Sequence, residues 1–256
     1  MKTLIYKKQN NVAVLSLNRP QKFNALNGEL LKELNIFLDE IGRDEQIRLL
    51  TIDGGESNCF CSGVDLEELH NFRSIEEARR FALLFDETMT RLLKFGKPVV
   101  AVMRGLAYGG GFALASAADL RIATNDIRIS FPAGRLGAIL PPALTCMLNA
   151  LVGIGTSRDL LMTGRAVEAE EALSLGLVNR LETEESIAPR LQSEIDAILK
   201  SSDTALEMTR RITNQQLIVE IEKYNLTGAE NFAYLSGTEE WQKRVARFFE
   251  RRKKTK

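Results

Sequence analysis

Short apolar runs alternate with longer amphipathic stretches through about residue 180, and that alternation restricts the chain to a layered α/β fold. Residues 12–17, 48–52, 98–103, 120–123 and 128–131 read as buried strands, apolar and bounded by turn formers. Between them, Asn27 is placed to cap a helix whose Leu30, Leu31, Leu34, Phe37, Leu38 and Ile41 follow the 3.6-residue period. Ser74 precedes a second such stripe, Ile75, Ala78, Phe81, Ala82, Phe85 and Met89. From Ile187 the strand signal stops. Residues 186–199, 204–222, 229–235 and 239–252 read as helices, so the expected organisation is a core over residues 1–196 and a helical appendage over 197–256. A chain of 256 residues suits one large core better than two small ones.

Lysine plus arginine equals aspartate plus glutamate at 34 each, which gives no concentrated positive field for nucleic acid. The basic run Arg251 to Lys254 is the local exception, and reads as a solvated helix end or as a phosphate contact. Cys59, Cys61 and Cys146 are odd in number, lack ligand spacing and have only His70 as an imidazole companion, so neither a disulfide framework nor a metal site is expected. No run approaches the roughly 20 apolar residues of a membrane span, and the first residues lack a signal-peptide core. A cytoplasmic protein is expected.

Two turns carry the chemistry. Asn58 to Leu66 follows one strand, with Gly63 permitting a tight path; Arg104 to Phe112 follows another and contains Gly109, Gly110 and Gly111 ahead of an apolar helix. Glycine leaves backbone N–H groups unshielded, and such donors stabilise an oxygen that gains negative charge. A dinucleotide loop would need glycine where Leu114 stands, and a phosphate loop would need a Gly-Lys-Ser/Thr ending.

Together with Leu17-Asn18-Arg19-Pro20, Asn24-Ala25-Leu26, Lys97-Pro98-Val99-Val100-Ala101, Ala118-Asp119-Leu120-Arg121-Ile122-Ala123 and Leu161-Met162-Thr163-Gly164-Arg165, these turns resemble the crotonase, or enoyl-CoA hydratase/isomerase, superfamily. The resemblance covers nearly the whole chain. It implies a spiral of ββα units with a C-terminal α-helical region, assembled as homotrimers or homohexamers. It further implies an acyl-CoA thioester as substrate, coenzyme A arriving as part of it without a separate cofactor, and its carbonyl held by the N–H groups of Val64 and Gly110. Ala25, Ser62, Asp65 and Leu66 fall at the adenine side, Lys22, Phe248 and Arg251 near the phosphates, and Gly109, Ala113, Pro132, Ala133 and Pro141 around the acyl group.

The sequence departs from the hydratases of that family where they carry two glutamates, because Ala113 and Ala133 stand there. Hydration needs a base for water and an acid for carbon, and methyl groups are neither. The aspartate that some isomerases and dehalogenases use falls at Pro141. Isomerase, decarboxylase or hydrolase chemistry is therefore expected ahead of hydration, with a catalytically silent CoA-binding homologue as the alternative. Asp86, on the apolar stripe of its helix, is a candidate acid or base. Tyr108 reads as a core aromatic that could instead donate to a carbonyl, His70 as a solvent-facing helical residue, Cys61 and Cys146 as small packing residues and Asp119 as structural. A serine peptidase would need a Ser/His/Asp set that the single histidine does not supply.

Overall fold

Leu4–Gln9 (β1) pairs antiparallel with Val12–Leu17 (β2) through a turn at Asn10, whose φ of 52° suits the short polar side chain. β1 was not expected: four of its six residues are exposed or half-exposed polar groups, which hides the strand signal. This computed structural model describes residues 2–254, with side chains through Glu250, so Arg251 and the basic run beyond it lie outside the described side chains.

Gly28–Arg43 (α1) starts where expected, with the Asn27 side chain accepting from Leu30 N–H at 3.0 Å. Then come Leu49–Asp53 (β3), Leu66–His70 (α2) and Ile75–Lys94 (α3), the last capped by Ser74. Val99–Met103 (β4), Leu106–Tyr108 (β5) and Gly110–Ser116 (α4) follow, then Leu120–Thr124 (β6), Arg128–Ser130 (β7) and Pro142–Thr163 (α5). Ala166–Glu168 (β8), Ala169–Ser174 (α6) and Arg180–Glu182 (β9) close the mixed region. Ile187–Leu199 (α7), Asp203–Ser236 (α8) and Glu239–Lys254 (α9) form the helical region, and residue 196 falls inside α7.

The strands sort into two sheets. The larger has the order β1-β2-β3-β4-β6-β9, parallel from β2 onward, and the smaller has the order β5-β7-β8. β4 sends the chain to β5 and back through α4 to β6, which sends it to β7 and back through α5. Each unit thus gives one strand to each sheet and one helix, and α4 is buried along its whole length. Isolated parallel bridges between Cys61 and Ala107, and between Leu26 and Val64, extend the pattern to the two preceding units.

All five residues of β4 are buried, so it shows no polar alternation, yet its two faces differ in partner. Val100 and Val102 pack with Ile122, Ile187 and Ile195 under α7, whereas Val99, Ala101 and Met103 join the main core. Each such buried aliphatic side chain contributes roughly 1.5–3 kcal/mol. The helical region differs from expectation in one respect. Residues 204–222 and 229–235 belong to one helix, α8, of 34 residues. Gly228 lies inside it because a Cβ there would meet the Pro142 ring at 2.2 Å. Close approach, not chain termination, is what that glycine provides.

Candidate active site

The two glycine turns meet. A Cβ on Gly63, whose φ is +104°, would lie 2.9 Å from the Tyr108 carbonyl oxygen and 3.8 Å from Gly110 N. A Cβ on Gly110 would lie 3.1 Å from the Val64 side chain and 3.0 Å from Phe85, and one on Gly111 would overlap the Cys61 carbonyl at 2.3 Å. Only a chain of bare backbone lets the start of α4 seat against the first turn.

The hydrogen bonds around these donors leave them open. Val64 is flanked by Leu26 N–H donating to Gly63 O at 2.7 Å and by Asp65 N–H donating to Leu26 O at 2.8 Å. Gly109 N–H donates to Ser130 O at 2.8 Å. The N–H groups of Val64 and Gly110 have no acceptor among the described residues. Both residues line one cavity of about 370 Å³. Unpaired donors there fit an oxygen that arrives with a ligand.

The rest of the expected site divides into three groups. Lys22, Ala25, Ser62, Asp65 and Leu66 reach the cavity from the first turns, and Gly109, Pro132, Ala133, Pro141 and Phe248 from the other side. Ala113 does not reach it, being completely buried in α4. Asp86 is also outside the lining: it is 2% exposed, and its Oδ1 accepts from Ala143 N–H at 3.0 Å at the start of α5. Burial pushes this carboxyl up to about 7 against the pull of that hydrogen bond. The raised value expected on the helix stripe is there, but the carboxyl serves a helix end and does not face the cavity.

The turn bearing Val64 is fastened by polar groups. Arg19 donates to the Ala25 carbonyl and to Asp65 Oδ2 at 2.7 Å, while Asp65 Oδ1 accepts from Glu67 N–H at 3.1 Å and caps α2. Asn24, fully buried at φ 55°, donates from Nδ2 to the carbonyls of Gly54, Cys59 and Phe60 at 2.8, 3.0 and 3.2 Å. Lys22 pairs with Glu67 at the rim.

Other expectations change. His70 is not solvent-facing: it is half-buried, meets the Phe249 ring at a tilt with centroids 5.9 Å apart, and its Nδ1 is buried without a partner among the described residues. Tyr108 lines the cavity and does not fill the core. Asp119 is structural, accepting from Val99 N–H at 2.7 Å and pairing with Arg210. Cys61 is fully buried, and burial raises the Cys59 and Cys61 thiols to about 12 and that of half-buried Cys146 to about 11, so all three stay protonated near neutrality.

Sequence reasoning missed part of the wall: Leu69, Ile139, Leu140, Phe232, Trp241 and Phe249. A signal was present in α9, where Trp241, Val245 and Phe249 recur every four residues as one apolar stripe. Among the described residues, no cluster of His, Cys, Asp and Glu could hold a metal ion, and no helix is long and apolar enough to cross a membrane.

Comparison with known proteins gives a consistent result. Residues 7–255 match the enoyl-CoA hydratase/isomerase family model. The short-chain-enoyl-CoA hydratase of Clostridium acetobutylicum is 30% identical over 253 residues, covering 99% of this chain and 97% of that protein. The crotonyl-CoA hydratase of Syntrophomonas wolfei is 30% identical, covering 98% and 96%. Among solved structures, an enoyl-CoA hydratase from Bacillus halodurans shares the fold with a TM-score of 0.89 at 24% identity, over 96% of this chain and 99% of that one.

Proposed function

Because the chain belongs to the enoyl-CoA hydratase/isomerase family, we propose that it is an enzyme of acyl-CoA thioesters that holds the thioester oxygen between the N–H groups of Val64 and Gly110 and stabilises the enolate formed from it. The observation that carries this reading is the pair of open backbone donors facing one cavity. Donors fixed by the fold lose no reorganisation energy when charge develops on the oxygen, and one such donor is typically worth about 10²–10³ in rate. Coenzyme A arrives as part of the substrate, and the proposed step uses no separate cofactor.

Hydration by two glutamates is disfavoured. Ala133 puts a methyl group on the cavity wall, and Ala113 is completely buried and off that wall. The carboxylates that do line the cavity are engaged, Asp65 with Arg19 and Glu67 with Lys22. Isomerisation, decarboxylation or thioester hydrolysis is the better match. Decarboxylation asks least of the protein, since departure of carbon dioxide leaves the electron pair of the enolate without a base. The relatives named hydratases set the opposing expectation, and turnover of enoyl esters tests it directly.

A second reading, a catalytically silent CoA-binding homologue, is favoured by the same two alanines. Acetyl-CoA and a panel of enoyl-, dienoyl- and malonyl-type CoA esters in deuterated water separate the two. Turnover or α-carbon exchange of at least one ester, with little hydration of the enoyl esters, is expected. Binding without exchange or turnover across the panel would falsify the enzyme reading. A cytoplasmic homotrimer or homohexamer is part of the proposal, supported by exposed Met208, Ile212, Val219 and Leu226 along α8.

A further inference from the structure

An enolate must be quenched by a proton, and the cavity wall offers few groups able to give one. Of the lining residues, Asp65 is occupied by Arg19 and the Glu67 N–H, Glu67 by Lys22, and Ser62 Oγ by the Lys22 carbonyl at 3.4 Å. Asp86 is outside the wall and bound to Ala143 N–H. Tyr108 differs from all of these.

Its position follows from strand geometry. In β5, Leu106 and Tyr108 are half-exposed and both line the cavity, while Ala107 between them is completely buried in the core. Successive side chains of a strand point to opposite faces, so the Tyr108 ring stands on the cavity face. The backbone there is pinned on both sides, with Tyr108 N–H donating to Cys61 O at 3.0 Å and Gly109 N–H to Ser130 O at 2.8 Å. Gly110, an oxyanion donor, is two residues away. The Tyr108 hydroxyl has no partner among the described residues and is not among the buried unpaired groups, so it is open to a ligand.

Resting on the function proposed above, we infer that Tyr108 is the catalytic residue that delivers a proton to the α-carbon of the thioester enolate. For a malonyl-type ester, the bond between the α-carbon and the carboxylate breaks, carbon dioxide leaves, and its bonding pair becomes the enolate, with negative charge on the oxygen held by Val64 and Gly110. The enolate pair then takes the hydroxyl proton of Tyr108 to form the new C–H bond, and the phenolate regains a proton from water. No oxidant or reductant enters. A phenol suits the task because it is a much stronger acid than the C–H bond it creates, and its body satisfies an apolar wall.

The test uses the full-length protein with 2-methylmalonyl-CoA for turnover and propionyl-CoA for α-exchange, both in deuterated water. Tyr108→Phe is expected to lower α-exchange of propionyl-CoA at least about 100-fold, the scale of one general acid. KM should stay within about threefold, and deuterium should enter the α-carbon without facial preference. Those last two readouts separate loss of a proton donor from loss of structure. Difluorotyrosine placed at position 108, a more acidic phenol, should move the alkaline limb of the pH-rate profile to lower pH.

Wild-type turnover or exchange with unchanged rate and stereochemistry in Tyr108→Phe overturns the assignment of Tyr108 and leaves the enzyme reading standing. An unmoved alkaline limb counts against it in the same way. A wild-type protein that binds both esters but neither turns them over nor exchanges them, and is inert on the wider panel, overturns the enzyme reading and this assignment together.

Discussion

Two helix starts in this molecule meet the same electrostatic demand in opposite ways. An α-helix begins with donors that lack intrahelical acceptors. At α5 the N-cap and the first helical position are Pro141 and Pro142, which have no N–H, and the next donor, Ala143 N–H, is given to Asp86 of α3. At α4 the chain starts on glycine, the Gly110 N–H is left without an acceptor among the described residues, and the cavity lies in front of it. The filled end is satisfied within the protein, and the open end leaves a donor facing the cavity, where the proposed function seats the thioester oxygen. A residue with a perturbed proton affinity is therefore not by itself a catalytic one, because Asp86 owes its shift to burial at the filled end.

The largest effect is expected at the open end. Gly110→Pro removes one donor while keeping a residue tolerated at a first helical position, and should lower turnover of whichever CoA ester proves to be a substrate by about 100- to 1000-fold. Gly110→Ala carries a similar crowding against Phe85 and Val64 but keeps the N–H. Steady-state kinetics on both variants should show the alanine losing much less; equal losses would assign the effect to crowding.

The filled end should respond to pH. The folded-state value of Asp86 is raised to about 7 from an ordinary 3.8, so between those values the folded protein holds a proton that the unfolded chain has released. Its contribution to stability is greatest below about 4 and declines as pH rises through about 7, by a few kcal/mol in all. Urea midpoints for wild type and Asp86→Asn should run closest below about pH 4, where the acid is neutral in both states, and diverge as pH rises through about 7, with wild type losing stability relative to the variant. Parallel curves would deny the shift. Asp86→Asn retains an oxygen for Ala143 N–H, so its turnover should stay within about threefold of wild type; abolition would return Asp86 to the chemistry.

The smallest effect is loss of the cap alone. Asp86→Ala leaves Ala143 N–H without an acceptor and should cost about 1–2 kcal/mol in thermal or urea unfolding, with a smaller change in KM than in stability. An unchanged midpoint would mean that α5 does not depend on α3 for its start.

Much of the frame was legible in the sequence because it rests on local rules. β2 coincides with the expected residues 12–17, and α1 and α3 are capped by Asn27 and Ser74 as expected, since capping and periodicity are written within one turn of the chain. β1 was hidden by its outward-facing lysines, and β5, β8 and β9 bury at most one residue each, against two in the equally short β7, so they show no buried run. The helix break expected before residue 229 failed because Gly228 answers to Pro142, distant in sequence, and not to its neighbours in the chain.

The site shows the same limit. The sequence by itself determined which backbone could be bare, through Gly63, Gly109, Gly110 and Gly111, and which acids were missing, at Ala113 and Ala133, because residue identity alone decides whether a Cβ or a carboxylate exists. Only the tertiary structure decided where side chains point and what they meet. It sent Asp86 to the start of α5, left the Tyr108 hydroxyl open, and brought Trp241 and Phe249 from α9 onto the cavity wall. The physical reason is that burial and partnership are set by contacts between segments far apart in the chain, so the open donors of Val64 and Gly110 become a pair only when the first turn seats against the start of α4.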